Sequence, residues 1–314
     1  QGGGAGGTGM QGNAGQGQQG GKSIEALVAD EADDGDDSDR PDWAMGAKEQ
    51  NPHRGDPNPT PGDRKGDEYG DLYVVVRNPI TGEPILINGE LQICTDEACT
   101  PENVVLTVEG EVPAGTTPIE VEFGRLNIGR APTSVVQHAE DEAMSKILSA
   151  DSLTLDSAGR IIVDGATIDS PLENLAIYIA LISGDTKVLD ALSSLGVDPM
   201  ALAAAALGAA ADKTGTITTD LVFYSNQIYD LVPAGATYVD YDNFTYDRLY
   251  YNVAVPYVYS VVDADGNVSY VNATVNLKDY LDATQPDQGD LSATGITLFS
   301  IAADDALEIV ELIH

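Results

Sequence analysis

The spacing of hydrophobic positions changes several times along this chain, and each change predicts a different element. From Tyr69 onward, "DLYVVVRNPITGEPILING" sets an apolar run, an Asn-Pro…Gly turn and a second run in succession, the pattern of a hairpin. "VVLTVEGEVPAGTTPIEVEFGRLNIG" (104–129) alternates apolar with polar residues and predicts two or three more strands. A short amphipathic helix is expected at 138–149, where Ala143, Ile147 and Leu148 share a face. "SLTLDSAGRIIVDGATI" (152–168) predicts another hairpin, turning at Asp156–Gly159.

The pattern then becomes helical. Ser170-Pro171-Leu172-Glu173 has the spacing of a capping box with Pro at the first helical position. Leu172, Leu175, Ile179 and Ile182 form one stripe, and Gly184 ends it. A second helix is expected over about 186–195, and a third from Asp198-Pro199 through "MALAAAALGAAA". From Thr216 to Val275 the reading returns to strands, dense in tyrosine, with a tight turn at Asp265-Gly266. The C-terminal stretch, "TGITLFSIAADDALEIVELIH", reads as a strand followed by a short helix or a last strand. The expected fold is therefore mainly β, antiparallel and sandwich-like, with a small inserted helical lobe and a long extended N-terminal arm. Its divisions are the arm at 1–66, a β-rich segment with one short helix at 67–169, a three-helix lobe at 170–213, and a tyrosine-rich β segment at 214–314. Residues 67–314 are expected to form one globular unit.

The arm changes the picture. Residues 1–22 are Gly/Gln-rich, and 30–66 are acidic and then Pro-rich, a composition that buries no core and predicts an extended or disordered segment in isolation. Charge changes it further: 51 acidic residues stand against 15 basic ones, a formal −36. Such a surface repels nucleic acid and anionic membrane, attracts cations and repels its own copies. A saline habitat and a calcium-loaded surface both account for it. No run reaches the roughly 20 apolar residues that span a bilayer. The chain opens at Gln1 without a charged-then-apolar leader, the expectation for a mature secreted protein.

Chemistry enters through a few short strings. "DKTGTIT" (212–218) resembles the phosphorylation signature of P-type cation-pumping ATPases, which would make Asp212 a phosphoryl acceptor. The resemblance covers seven residues, follows a run that is helical by local rules, and lacks a downstream Gly-Asp-Gly-x-Asn-Asp element. The string reads instead as a helix exit, with Lys213 in the last turn and Gly215 as terminator. Cys94 and Cys99, the only cysteines, sit between strand-like runs and predict a disulfide closing a hairpin loop, outside the cytoplasm.

Candidate Ca²⁺ ligands are Asp30, Asp34 and Asp36 in the arm, Asp263, Asp265 and Asn267 around a turn, and Asp240 with Asp242 on one strand face. Each set also suits a solvated acidic linker or an ordinary turn. Eleven of the 14 tyrosines lie between Tyr224 and Tyr280. Tyr241, Tyr246 and Tyr250 are candidates for a subunit interface, with Trp43 as an anchor from the arm; core packing and glycan stacking are the other uses of such residues. Asn243, Asn267 and Asn272 each begin a glycosylation sequon.

No Ser-His-Asp spacing or phosphate loop stands out, so no enzyme is expected. The functional expectation is a structural subunit of an extracellular filament or surface layer, a homopolymer joined through the arm and cation-bridged acidic contacts. The alternative is a monomeric, secreted, Ca²⁺-dependent adhesin or carbohydrate-binding protein.

Overall fold

The computed structural model describes residues 72–313, except 97, 109–111, 125, 127–132, 213, 237, 263–265 and 286–291. Of the described residues, 42% are helical and 18% lie in strands, in seven α-helices and three sheets of two or three strands. The expected β-sandwich is therefore corrected: the helices form the centre and the sheets lie around it. The arm at 1–66 lies outside the described residues.

The helices, in chain order, are α1 (Thr133–Ser149), α2 (Pro171–Ile182), α3 (Thr186–Leu192), α4 (Pro199–Ala210), α5 (Thr219–Ile228), α6 (Leu277–Thr284) and α7 (Gly295–Ile313). Local signals set most of their starts. Ser170 caps α2 by accepting the Glu173 N–H, Asp185 caps α3, and Asp198 caps α4 through the Met200 N–H. Thr218 and Asn276 do the same for α5 and α6.

Helix α4 is apolar all round and buried along most of its length, as expected of a helix wrapped by others rather than one exposed on a lobe. It packs on α2 and on α7. The approach to α7 is close enough to require glycine: a Cβ on Gly208 would stand 2.6 Å from the Ala303 carbonyl oxygen and 2.8 Å from Ala306 Cβ. A continuous core runs from Leu72 and Val75 through Leu175, Tyr178, Leu207 and Phe223 to Phe299 and Leu307.

Two helices replace expected strands. Helix α5, "TDLVFYSNQI", carries β-formers, but burial on most of its surface removes the alternation that would betray a strand or the stripe that would betray a helix. Helix α7 begins "GITLF", equally strand-like, yet Phe299, Ala302, Ala303, Ala306, Leu307 and Val310 recur at helical spacing into the core.

The strands are β1 (Gln92–Cys94), β2 (Val104–Leu106), β3 (Leu153–Leu155), β4 (Ile161–Val163), β5 (Ala166–Thr167), β6 (Ala254–Val262) and β7 (Val268–Asn276). β1 pairs antiparallel with β2, β4 lies between β3 and β5, and among the described residues β6 pairs only with β7. The Cys94–Cys99 disulfide is formed, in the loop between β1 and β2. The expected first hairpin is reduced to the isolated bridge Arg77↔Pro84, and its first run bridges instead to β1 at Val75↔Ile93. Asp220 of α5 holds that extended segment, accepting from the Val75 N–H at 3.2 Å and from Arg77 Nη2 at 2.6 Å.

Candidate functional site

The longest strands of the molecule are the least covered. β6 and β7 have nine residues each and pair from Ala254↔Asn276 at the root to Val262↔Val268 near the tip. Opposed residues share a face. The first face carries Val255, Tyr257, Tyr259 and Val261 against Val275, Ala273, Val271 and Ser269, so seven of its eight positions are apolar or aromatic. The second face is mixed and includes Asn272, Thr274 and Tyr270. On the first face Tyr257 stacks on Tyr259 with ring centroids 6.2 Å apart. Its root half is partly covered, with Val255 packed against the cluster that holds Leu277, Leu281 and Ile309. Its outer half, Tyr259, Val261 and Val271, is exposed. Among the described residues neither strand has a second neighbour, so both long edges present unpaired backbone groups.

A buried ion pair fixes the root. Arg248 opens the 3-10 turn Arg248–Tyr251 that leads into β6, and its guanidinium grips Asp305 of α7 with two bonds, Nε to Oδ2 at 2.8 Å and Nη2 to Oδ1 at 2.9 Å. The two side chains are 3% and 0% exposed. Burial opposes the Arg248 charge, but the bonds to Asp305 and Asp282 outweigh it and raise the guanidinium above its ordinary value. Arg248 Nη1 also reaches Asp282 of α6 and the Gln285 carbonyl, each at 3.3 Å, tying turn, α6 and α7 together. Tyr246 donates to Asp305 Oδ2 at 2.7 Å. Burial pushes its hydroxyl well above the ordinary tyrosine range, with Tyr251 and Asp305 adding to the effect. The Asp304-Asp305 pair inside an apolar helical window was the available sequence signal, since a buried carboxylate requires a partner. Asp304 is used separately, accepting the Ile217 N–H at 2.6 Å.

Beside the root lies a cleft of about 300 Å³. Its floor is the α4 face of Ala201, Ala204 and Ala205, and its walls include Tyr246, Tyr250, Tyr251 and Asp247. Tyr250 and Tyr251 meet nearly perpendicular, at 87° and 5.1 Å between centroids. Gly159, at φ 85°, is part of the lining, and a Cβ there would stand 3.0 Å from Ala205 Cβ and 3.4 Å from the Tyr250 hydroxyl.

The sequence candidates are distributed unevenly. Tyr241 is buried on Phe299 and accepts from Asn226 Nδ2 at 2.9 Å, Tyr246 is half-buried at the clamp, and Tyr250 is exposed in the cleft wall. Asp240 and Asp242 do not share a strand face: both are exposed in a turn, where Asp240 Oδ1 accepts the Asp242 N–H at 2.8 Å. Among the described residues no group of three or more His, Cys, Asp or Glu is arranged to hold a metal ion. Asp30, Asp34, Asp36 and Trp43, and Asp263 and Asp265 in the β6–β7 connection, lie outside the described residues. Asn267 follows that connection, and the sequon residues Asn243, Asn267 and Asn272 are all exposed, with Asn272 on the mixed face of the hairpin. The 212–218 string joins α4 to α5, with Thr218 as the α5 cap. No single helix is long and apolar enough to cross a membrane among the described residues.

No protein-family model, curated protein or solved structure matches this chain.

Proposed function

We propose that this protein is a structural subunit of an extracellular filament or surface layer, in which the β6–β7 hairpin of one copy receives the N-terminal arm of the next. The observation that carries this reading is the bare outer half of an otherwise apolar hairpin face, held on a clamped root. Exposed contiguous apolar surface of this kind is characteristic of contact sites, and two open edges offer the backbone groups that strand addition uses. The arm supplies a matching occupant. Ile24, Ala26 and Val28 fall at strand period within it, and Trp43 follows as an anchor. Head-to-tail contacts between unlike surfaces produce open polymers when the rotation does not close.

With a formal −36 on each copy, association must overcome repulsion, so salt or Ca²⁺ bridging of carboxylates forms part of the proposal. The disulfide agrees with an oxidising compartment. Negative-stain micrographs and light scattering of the full chain, with and without Ca²⁺ or high salt, test the reading. Large ordered particles are expected, and deletion of residues 1–66 should abolish them while circular dichroism keeps its helical signal. A full chain that stays monomeric under all these conditions, or a deletion that assembles as before, overturns it.

A further inference from the structure

We propose that the cleft at the hairpin root binds a small organic cation with a methylated ammonium head. This stands apart from the assembly reading, because it rests on the cavity alone. A cation of this kind is recognised by aromatic rings set at angles to one another, which offer their negative π-faces, and by a carboxylate nearby. The cleft has both. Tyr250, 45% exposed, meets the buried Tyr251, 2% exposed, edge to face, so Tyr250 is the ring whose surface is open to the cleft, with Tyr246 in the same lining. Asp247 joins them, its side chain exposed and, among the described residues, without a cationic partner; one of its oxygens accepts the Leu249 N–H at 2.7 Å. The floor of Ala201, Ala204 and Ala205 suits methyl groups and offers no donor to an anion.

The nearby cations are already committed. Arg248 is held by Asp305 and Asp282, and Arg160 by Asp156 at 2.7 Å and Asp169 at 2.9 Å. Among the described residues around the cleft, an anionic ligand would therefore meet no free positive group. The tyrosine hydroxyls report the same field: after burial, the carboxylate of Asp156 raises Tyr250, and Tyr250, Asp305 and Asp156 raise Tyr251. The volume, about 300 Å³, lies at the lower end of ligand pockets and fits a head group better than an extended chain.

Choline chloride is the probe, with dimethylbutanol as its neutral carbon isostere and D-glucose as a polyol, each titrated into the full chain by ligand-observed NMR at constant ionic strength. Choline should bind at millimolar concentration or below, about tenfold more tightly than the isostere, and glucose should not compete. Tyr250→Ala and the cleft-filling Ala201→Leu should each abolish the signal, and Asp247→Asn should weaken it roughly threefold to tenfold. Tyr250 is 45% exposed, so its loss leaves the fold intact by circular dichroism. Equal binding of choline and isostere would reduce the cleft to an apolar pocket and overturn the proposal. Tighter binding of glucose, or no choline signal at ~20 mM with folded protein, would overturn it as well.

Discussion

The helical centre and the β6–β7 hairpin are rich in the same kinds of side chain and leave them in opposite states. Helix α4 finds α2 on one side and α7 on another, and nearly all its alanines and leucines are buried. Among the described residues the hairpin finds neighbours only along its root, and Tyr270, Val262 and Val258 stand 76%, 63% and 56% exposed. A two-stranded ribbon is marginal in water by itself. Here it is carried by its anchorage, in which the Leu277 N–H bonds the Val253 carbonyl and the Arg248 clamp lies below. Apolar content thus measures how much burial a segment requires, and topology decides whether its own chain supplies it.

The most severe way to break this arrangement is to remove the clamp. Asp305→Ala leaves a guanidinium buried at 3% exposure with its main partner gone, and should cost about 3–5 kcal/mol in urea denaturation. The double change Arg248→Met/Asp305→Leu should recover most of that loss, because an apolar pair needs no mutual charge. A single substitution costing under about 1 kcal/mol would mean that water reaches the pair and the root is not rigid.

Alkali attacks the buried tyrosines of the centre and of the hairpin root. Burial pushes Tyr241 up to about 12 from the ordinary tyrosine value, and Tyr178 and Tyr251 are raised well above it by the same cause. A raised folded pKa means that the fold favours the neutral hydroxyl. That contribution is complete below about pH 10 and is lost as pH climbs through about 12, on the order of 3 kcal/mol for Tyr241. Stability measured by denaturant should fall steeply across that window, and absorbance at tyrosinate wavelengths should show the buried rings ionising only with unfolding. Buried rings that ionise without unfolding would show the centre to be open to water.

Much of this was legible in the sequence, but unevenly. The caps at Ser170, Asp198 and the Pro that follows each are local signals, and the helices they start are where the pattern placed them. The β3–β4 and β6–β7 hairpins and the disulfide loop also follow from alternation and turn residues. The fold class did not, because α5 is buried on so many sides that no stripe survives, and α7 opens on β-branched and aromatic residues that mimic a strand before its helical spacing shows. The division of the tyrosines was not legible for a related reason. Composition left interface, core and glycan stacking open for all of them, and the fold divides them between core, clamp, cleft and hairpin. The Arg248–Asp305 contact joins positions 57 residues apart, a distance over which no local rule operates.

A smaller effect sharpens the picture of the centre. In an exposed helix Gly→Ala stabilises by about 1 kcal/mol. Gly208→Ala should do the reverse, destabilising by about 1–3 kcal/mol, because the added methyl meets the backbone of α7 at Ala303 rather than the end of a flexible side chain. A neutral or stabilising result in thermal melts would show that α4 and α7 slide apart easily and that the centre is less tightly closed than its geometry implies.

The smallest effect on stability belongs to the hairpin, and it is the most informative. Tyr259→Ser with Val271→Asn replaces a directly opposed pair on the bare face, at positions 42% and 36% exposed. Neither side chain is enclosed by its own chain, so the folded subunit should change by no more than about 0.5 kcal/mol. Assembly of the full chain should nonetheless fail, because the same pair lies at the centre of the surface proposed to receive the arm. Melting and light scattering on one preparation separate the possibilities. Unchanged melting with lost particles supports a face completed by another copy. A loss above about 2 kcal/mol would mean that this face is covered within its own chain, and unchanged particles would move the contact elsewhere.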